Sequence, residues 1–547
     1  MRGGASSPVG QSLILACVCA AVTLPNLGVP SLWDVDEGVN AEAAREMREI
    51  DTWIVPTFNS DLRTAKPALL YWLQRISYDL FGVSEWAARF PAVLCGLGSV
   101  LTTAALARRM FGPAAGLLAG LILVTSIEFV KLSHAATPDA PLIFFVGLTY
   151  YLFWIGHEHG GRRWFLLAPI PCGLAVLTKG PAYIGLIGLA VLLYFLWNRD
   201  GKRLLDRRLL WGFLILFAVA GPWYVTVAVE TRGAWIKAFL GVDNVGRFRE
   251  AMEGHDGRPL YSAYYFAAIA IFFAPWSSLL YGTFRLAVAE SRSRPVRLLL
   301  CWFGVIFVVT SVMATKLPNY IATLYPALAI LTARLLTLWR QGDQPAIPKW
   351  VLPVSAVLTG VTGVGVFVGF LILGGAIPVA GVRTYPGLAP YSALGLTLTL
   401  GGIGMGYFLR TGDRGGVLAS LVAAATLFVG LMAAFAAPAF DRYKAPRELV
   451  AMSGTRNPER DIRLACYRYT QPSLTFYAER RVERLVSAEA VADFLAVERP
   501  SYVFVAKSVW EEIRSTVTVP VEIVGERFCL IANQNVLVVA NRHAAMP

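Results

Sequence analysis

Charge is scarce in this sequence, and what charge there is falls unevenly along it. Only 16% of the 547 residues are Asp, Glu, Lys or Arg and only 5 are His, against 56% hydrophobic residues. Such a chain lacks the polar residues for a solvated surface, and its long apolar runs recur from end to end, so the class is a polytopic membrane protein. Cysteine is also sparse, at 7 residues, with no CxxC and no Cys/His spacing of a zinc cluster. Cys17, Cys19, Cys95, Cys172 and Cys301 lie in or beside apolar runs and read as small buried residues. No glycine fingerprint follows a strand, which excludes a soluble nucleotide-sugar site of that type. The formal net charge of +13 would suit nucleic acid. Its carriers, however, sit in short connections between apolar runs, the positive-inside pattern of membrane proteins, which argues against nucleic-acid binding.

The apolar runs predict about thirteen spans of roughly 16–24 residues each. They lie near 11–30, 90–107, 113–130, 141–156, 164–179, 181–197, 209–229, 263–284, 298–315, 319–339, 351–374, 389–409 and 415–436. The first reads as a retained span rather than a cleaved signal. With the N-terminus inside, every inner connection is basic: Arg108-Arg109, Arg162-Arg163, Arg199 to Arg208, Arg285 to Arg297, Arg340 with Lys349, and Arg410 with Arg414. The outer segments are then 31–89, 131–140, 230–262, 316–318, 375–388 and everything after about 437. No span shows a cluster of buried charge.

The division that follows is a transmembrane domain over 1–436 and a soluble extracytoplasmic domain over 437–547. In the first outer loop, 31–89, Asn40 to Ile50 patterns as an amphipathic helix able to lie on the membrane surface, and Pro67 to Phe81 as a second helix. The tail reads as a small α/β domain. Its strands are expected near Arg463–Tyr469, Tyr502–Ala506, Val521–Val524 and Val536–Val539, with helices near Ala488–Val497 and Val509–Ser515. Cys466 and Cys529 lie there, face an oxidising compartment on this topology, and are candidates to pair.

The outer loops carry the candidate chemistry. Asp36-Glu37 precedes the 40–50 helix. Acids there suit a helix N-terminus. They equally suit a catalytic carboxylate at the lipid-water boundary, where partial desolvation lets it act as base. Lys66, followed by Pro67, is a cation on the cation-poor side. It reads either as a snorkelling residue or as a phosphate ligand, with Arg63 close upstream. His134 and Asp139 occupy the short second outer loop. Lys179 and Lys316, the latter with Tyr320 in the same turn, sit at span mouths, as Arg247 does in the 230–262 loop. Several cations facing one compartment suggest an anion site, most economically a lipid-linked phosphate. His255, in a glycine-rich stretch, is the one histidine of that loop to weigh as a metal ligand or base.

Asp36-Glu37 followed by Asn40-Ala41-Glu42 and Ala44-Arg45-Glu46-Met47 resembles the first-loop signature of the lipid A aminoarabinose transferases and related membrane glycosyltransferases, with the protein O-mannosyltransferases as more distant relatives. Lys66-Pro67-Ala68-Leu69-Leu70-Tyr71-Trp72, Ala88-Arg89-Phe90-Pro91, Lys179-Gly180-Pro181, Asn244-Val245-Gly246-Arg247-Phe248, Lys316-Leu317-Pro318-Asn319-Tyr320 and Ser473-Leu474-Thr475-Phe476-Tyr477 extend the likeness along the chain. The resemblance implies a mainly α protein with the GT-C fold, an outward-facing cavity and a small α/β cap. It implies transfer of a sugar from a polyprenyl phosphate to a glycolipid, glycan or protein acceptor outside the cytoplasm. Asp36, with Glu37 beside it, matches the first-loop acid of the family and Asp139 its second-loop acid. Lys66 and Arg247 match cations at the carrier phosphate, with Arg63, Lys179, Lys316 and Tyr320 as further candidates. A divalent metal in the family is held by a glutamate just before Lys-Pro and a histidine in the later loop; here Ala65 and Val242 stand in those places, with His255 nearby. Val39 also replaces a family arginine. The rival class is a lipid-linked sugar transporter or flippase without transfer chemistry, whose polar residues would line both sides of the bilayer.

Overall fold

The computed structural model describes residues 7–159, 162–246, 263–342, 346–454 and 461–544. The chain enters through α1 (Pro8–Thr23), capped by Ser7, whose Oγ accepts the Gly10 N–H at 3.0 Å. The first loop then builds α2 (Asp36–Glu49), a short hairpin of β1 (Thr57–Phe58) and β2 (Asp61–Leu62), and α3 (Leu69–Phe81). The bundle continues with α4 (Glu85–Phe111), α5 (Pro113–Val124), α6 (Ile127–Ser133), α7 (Asp139–His159), α8 (Pro169–Lys179), α9 (Ala182–Trp197) and α10 (Arg207–Glu230). It closes with α11 (Tyr264–Phe272), α12 (Leu280–Ala289), α13 (Arg294–Val312), α14 (Tyr325–Gln341), α15 (Val351–Leu373), α16 (Leu394–Thr411) and α17 (Arg414–Leu431).

Among the described residues, 8 helices are long and apolar enough to cross a membrane, or up to 10 if each of two bent pairs is one span. The expectation of about thirteen is not confirmed in number. The 164–179 candidate contains α8 of only 11 residues, about half the length a bilayer core requires. α1 and α9 are short as well, at 16 residues each. The bends have local causes. α5 and α6 meet at 67°, where the hydroxyls of Thr125 and Ser126 turn back to the carbonyls of Leu121 and Ile122 at 2.6 Å each. α11 turns through 116° into Trp276–Ala289 across Ala274-Pro275. Glu128 lies in α6 and is fully buried, 2.7 Å from Lys131, so the apolar run at 113–130 carries one buried acid.

Apolar packing centres on α14, whose side chains from Tyr325 to Leu336 are buried almost without interruption. α15 and α16 touch through glycines: a Cβ added at Gly395 would collide with the Gly363 carbonyl. That close approach is the small-residue helix packing of membrane interiors.

The tail folds as a five-stranded sheet of order β4-β3-β5-β7-β6, with β3 (Arg463–Tyr467), β4 (Val482–Leu485), β5 (Ser501–Ala506), β6 (Val521–Cys529) and β7 (Gln534–Asn541). β3 pairs in parallel with β4 and β5, and β7 pairs antiparallel with β5 and β6. β4 was not legible from alternation, being only 4 residues long. One apolar core joins this sheet to the first loop: Ala41, Ala44 and Met47 of α2 and Tyr71 and Tyr78 of α3 pack with Leu464, Phe476, Phe504 and Val538. α2 is therefore buried from Glu37 to Met47 beneath the tail instead of lying on the membrane surface. Its polar face survives burial because Arg45 is chelated by Glu42, through Nε and Nη2 at 2.7 Å each, and bonds Glu49 as well.

Cys466 and Cys529 are both free thiols, on β3 and β6, with β5 and β7 lying between those strands. Adjacent strands are about 4.8 Å apart, so three strand spacings exceed the reach of a disulfide. Protein denatured without reductant should therefore alkylate at both positions, measured by intact mass; loss of both labels together would refute this arrangement.

Candidate active site

The site is assembled where α2 begins. Glu37 points inward and is 5% exposed. Its carboxylate accepts two hydrogen bonds from Arg89 of α4, Nε to Oε1 and Nη2 to Oε2, each 2.8 Å. It also accepts the backbone N–H groups of Trp33 and Ala136, each at 2.7 Å. Arg89 donates its remaining N–H groups to the carbonyls of Leu27, Pro30 and Ser31 at 2.7–3.0 Å. All five guanidinium donors are thus used. Burial pushes the Glu37 carboxyl up, but the Arg89 charge and these hydrogen bonds outweigh it and hold the group below the usual carboxylate range. Asp36, one residue earlier and about 100° round the helix, is exposed, and no described residue hydrogen-bonds or ion-pairs with its carboxylate. The two neighbouring acids are thereby sorted: one is saturated inside the protein, the other is presented outward.

Glu37 also brings the 131–140 loop to the 31–89 loop. Besides the Ala136 N–H bond, Asn40 Nδ2 donates to the Ala136 carbonyl at 3.2 Å. Three residues on, Asp139 opens α7 and is 2% exposed. Lys179, at the end of α8, donates to its Oδ1 at 2.5 Å, and Asn319 Nδ2 to its Oδ2 at 3.1 Å. The Lys179 ammonium also lies 5.5 Å from the Tyr320 ring centroid. Lys66, half-buried beside the start of α3, acts electrostatically on Asp139. Four segments distant in sequence (the first loop, the 136–139 turn, the end of α8 and the 318–320 turn) thus meet around Asp139.

The other sequence candidates are placed as follows. Lys316 donates to the carbonyls of Thr310, Ser311 and Met313 at 3.1, 2.6 and 2.5 Å, so its ammonium caps the end of α13. Arg63 follows the β1-β2 hairpin; its carbonyl accepts the Trp235 indole N–H at 2.9 Å, and its Nε is buried with no hydrogen-bond partner among the described residues. His134 donates from Nδ1 to the Val130 carbonyl at 3.0 Å, and burial lowers its pKa. Arg247 and His255 lie outside the described residues. Among the described residues no three His, Cys, Asp or Glu side chains are grouped to hold a metal, and Ala65 offers no ligand. The described part of the site does not fit a divalent ion, and no step below runs through one.

Sequence reasoning gave no role to Arg89, Asn319 or Glu128. Arg89 and Glu128 left a usable signal, a cation at the outer end of a span and an acid inside an apolar run. Asn319 left none beyond its position between Lys316 and Tyr320.

The tail domain clamps the same turn. Asp34, 7% exposed, accepts hydrogen bonds from the backbone N–H of Ser473, at 2.8 Å, and from its hydroxyl. Between them lies Gly38, where an added Cβ would stand 2.6 Å from both Asp34 Oδ1 and the Ser473 nitrogen, so only glycine admits the contact. Tyr477 accepts the Leu32 N–H at 2.7 Å, and Asn59 exchanges two 2.9 Å hydrogen bonds with the backbone of Val482.

Comparison with known proteins agrees with this architecture. Residues 65–225 match the family described as dolichyl-phosphate-mannose-protein mannosyltransferase. An uncharacterized protein of Aquifex aeolicus (strain VF5) is 32% identical over 307 residues, 56% of this chain and 68% of that protein. The undecaprenyl phosphate-alpha-4-amino-4-deoxy-L-arabinose arabinosyl transferase of Edwardsiella ictaluri (strain 93-146) is 31% identical over 308 residues. That match spans 55% of this chain and 55% of the transferase, a little over half its length. ArnT from Cupriavidus metallidurans, solved with undecaprenyl phosphate, superposes with a TM-score of 0.80 at 21% identity, covering 99% of this chain and 100% of that one. The chain has the GT-C fold. The archaeal oligosaccharyltransferase AglB from Archaeoglobus fulgidus shares the GT-C fold more loosely, with a TM-score of 0.54 at 12% identity over 94% of this chain and 69% of that one. Like these GT-C proteins, the chain is a multi-pass membrane protein.

Two outcomes follow from the GT-C site geometry. Glu37→Ala strands a buried arginine and should cost about 3–5 kcal/mol, whereas Asp36→Asn should leave the thermal unfolding midpoint close to wild type. Equal midpoints for the two variants would contradict the sorting of the acids. Burial raises the Asp34 carboxyl from 3.8 to about 6. Between these values the folded protein holds more proton than the unfolded chain, so the Asp34 contribution falls as pH rises through that window. Asp34→Asn should flatten this part of the pH dependence of the unfolding midpoint.

Proposed function

We propose that this protein transfers a sugar from a polyprenyl phosphate donor to an envelope acceptor, a lipid A-like glycolipid, a glycan or a protein, at the outer face of the cytoplasmic membrane. The observation that carries the reading is the convergence of Lys66, Lys179 and Asn319 on Asp139, directly beside the turn that presents Asp36. The shared GT-C fold and the undecaprenyl phosphate in the Cupriavidus structure support the donor class. The basic connections 108–109, 340 and 410–414 support an orientation with the site and the tail domain outside.

In the reaction, an acceptor oxygen attacks the anomeric carbon of the sugar. The bond from that carbon to the carrier phosphate oxygen breaks, its electron pair leaves with the phosphate, and the acceptor proton passes to a carboxylate. Asp36 suits that last role, because it faces outward and is not consumed by an internal ion pair. Lys66 receives the charge that develops on the departing phosphate, assisted by Arg63. Lys179 neutralises Asp139 and holds Tyr320 and Asn319 in place around it. Glu37 positions Asp36 and does not touch substrate. Among the described residues the buried charges gather with the outer loops and with Glu128 next to them, which favours transfer over a transport path lined at both ends.

Purified protein incubated with polyprenyl phosphate-linked sugars and an envelope extract should release free carrier phosphate. Asp36→Asn and Lys66→Ala should each lower that release by about 10²–10³-fold while membrane insertion is kept. Wild-type rates in both variants would remove these residues from the reaction, and transbilayer movement of the donor without carrier release would replace transfer with transport.

A further inference from the structure

A concavity lies at the opposite end of the bundle from Asp139, where the basic connections gather. The first turn of α5, the last turn of α14 and the first half of α17 enclose a groove of about 530 Å³. This is within the roughly 300–1,000 Å³ of pockets that take small ligands. Ala114 and Ala419 are too small to fill it, and Leu117, Leu118 and Val422 wall it with hydrocarbon. Its mouth is polar. Arg340, the exposed penultimate residue of α14, stands there.

Among the described residues the surrounding charge is mostly positive. Arg108 and Arg109 end α4 immediately before α5, and Arg410 and Arg414 flank the turn into α17. The acid of that turn, Asp413, is occupied in capping α17, accepting the Gly416 N–H at 3.0 Å. α5 starts at Gly112 without a side-chain cap, which leaves its first N–H groups at the same mouth. Trp339, 5.7 Å from the Arg414 guanidinium, marks the depth at which aromatic residues meet lipid headgroups. An apolar slot opening toward lipid under a cluster of arginines is complementary to an amphiphile with a negative head. A zwitterionic lipid would leave the arginines without net compensation. A polyprenyl phosphate drawn from the Asp139 end would carry its charge at the wrong end of the bundle.

We propose that this groove binds one anionic glycerophospholipid from the leaflet at the basic end of the bundle, with an acyl chain between α5 and α17 and the phosphate at Arg340. The assignment does not depend on the transferase reading. Basic pockets between membrane helices bind anionic headgroups, and each cation near the surface contributes enough to change affinity about fivefold. The test uses the full chain, stripped of lipid in detergent and titrated by native mass spectrometry with phosphatidylglycerol or phosphatidylcholine of matched chains. Wild type should retain one phosphatidylglycerol at about fivefold lower concentration than phosphatidylcholine. Arg340→Gln, an exposed change, should equalise the two, and Ala419→Trp, which fills the groove, should lose both while the unfolding midpoint is kept. Equal retention by wild type, a preference that survives Arg340→Gln, or retention of detergent or added polyprenyl phosphate in place of phospholipid would overturn the proposal.

Discussion

The buried pair between Glu37 and Arg89 fixes everything else at the end of the molecule that carries Asp36 and Asp139. It is costly to bury two charges, and such a pair is retained only where the remaining donors and acceptors are satisfied. Here they are: the carboxylate takes four hydrogen bonds and the guanidinium gives all five. The partners come from the connection between α1 and α2, from α4 and from the loop at Ala136. One ion pair therefore sets the entry angle of α2, the position of Asp36 one residue away, and the approach of the 136–139 turn that carries Asp139.

Around this anchor the charges divide by what they touch. Lys316 gives its protons to carbonyls at the end of a helix, and Lys179 gives one to Asp139. Only the Lys179 charge is compensated by a carboxylate; the Lys316 ammonium is held by neutral carbonyls. A motif cation at a span mouth is not automatically a ligand. The ends of membrane helices need donors for their last carbonyls, and a lysine is the residue with spare ones.

The tail domain is part of the same machine rather than an appendage. Its apolar core is continuous with that of α2 and α3, and Ser473 grips Asp34 across the Gly38 backbone, two residues from Asp36. α2 is mostly polar in sequence yet buried over eleven consecutive residues from Glu37 to Met47, which no isolated helix on a bilayer surface would be. The buried polar face is stable because Arg45 meets Glu42 bidentately there and Arg89 meets Glu37.

The membrane class, the basic and non-basic ends, the helices at 36–49 and 69–81, and most strands of the tail were legible in the sequence, because hydropathy, charge bias and short-range periodicity are local properties. So were Asp36, Lys66 and Asp139 as residues worth attention. The bends within spans were not legible, because hydroxyls at Thr125 and Ser126 and the proline at 275 turn segments whose composition is uniformly apolar. Whether Cys466 meets Cys529 depended on strand order, and the role of each charge depended on its partner: Arg89 for Glu37, Lys179 for Asp139, three carbonyls for Lys316. Those partners lie up to 52 residues away for Glu37 and 40 for Asp139. A rotation of about 100° between adjacent helical positions decides which of two neighbouring acids faces the solvent, and only the packed chain sets that rotation.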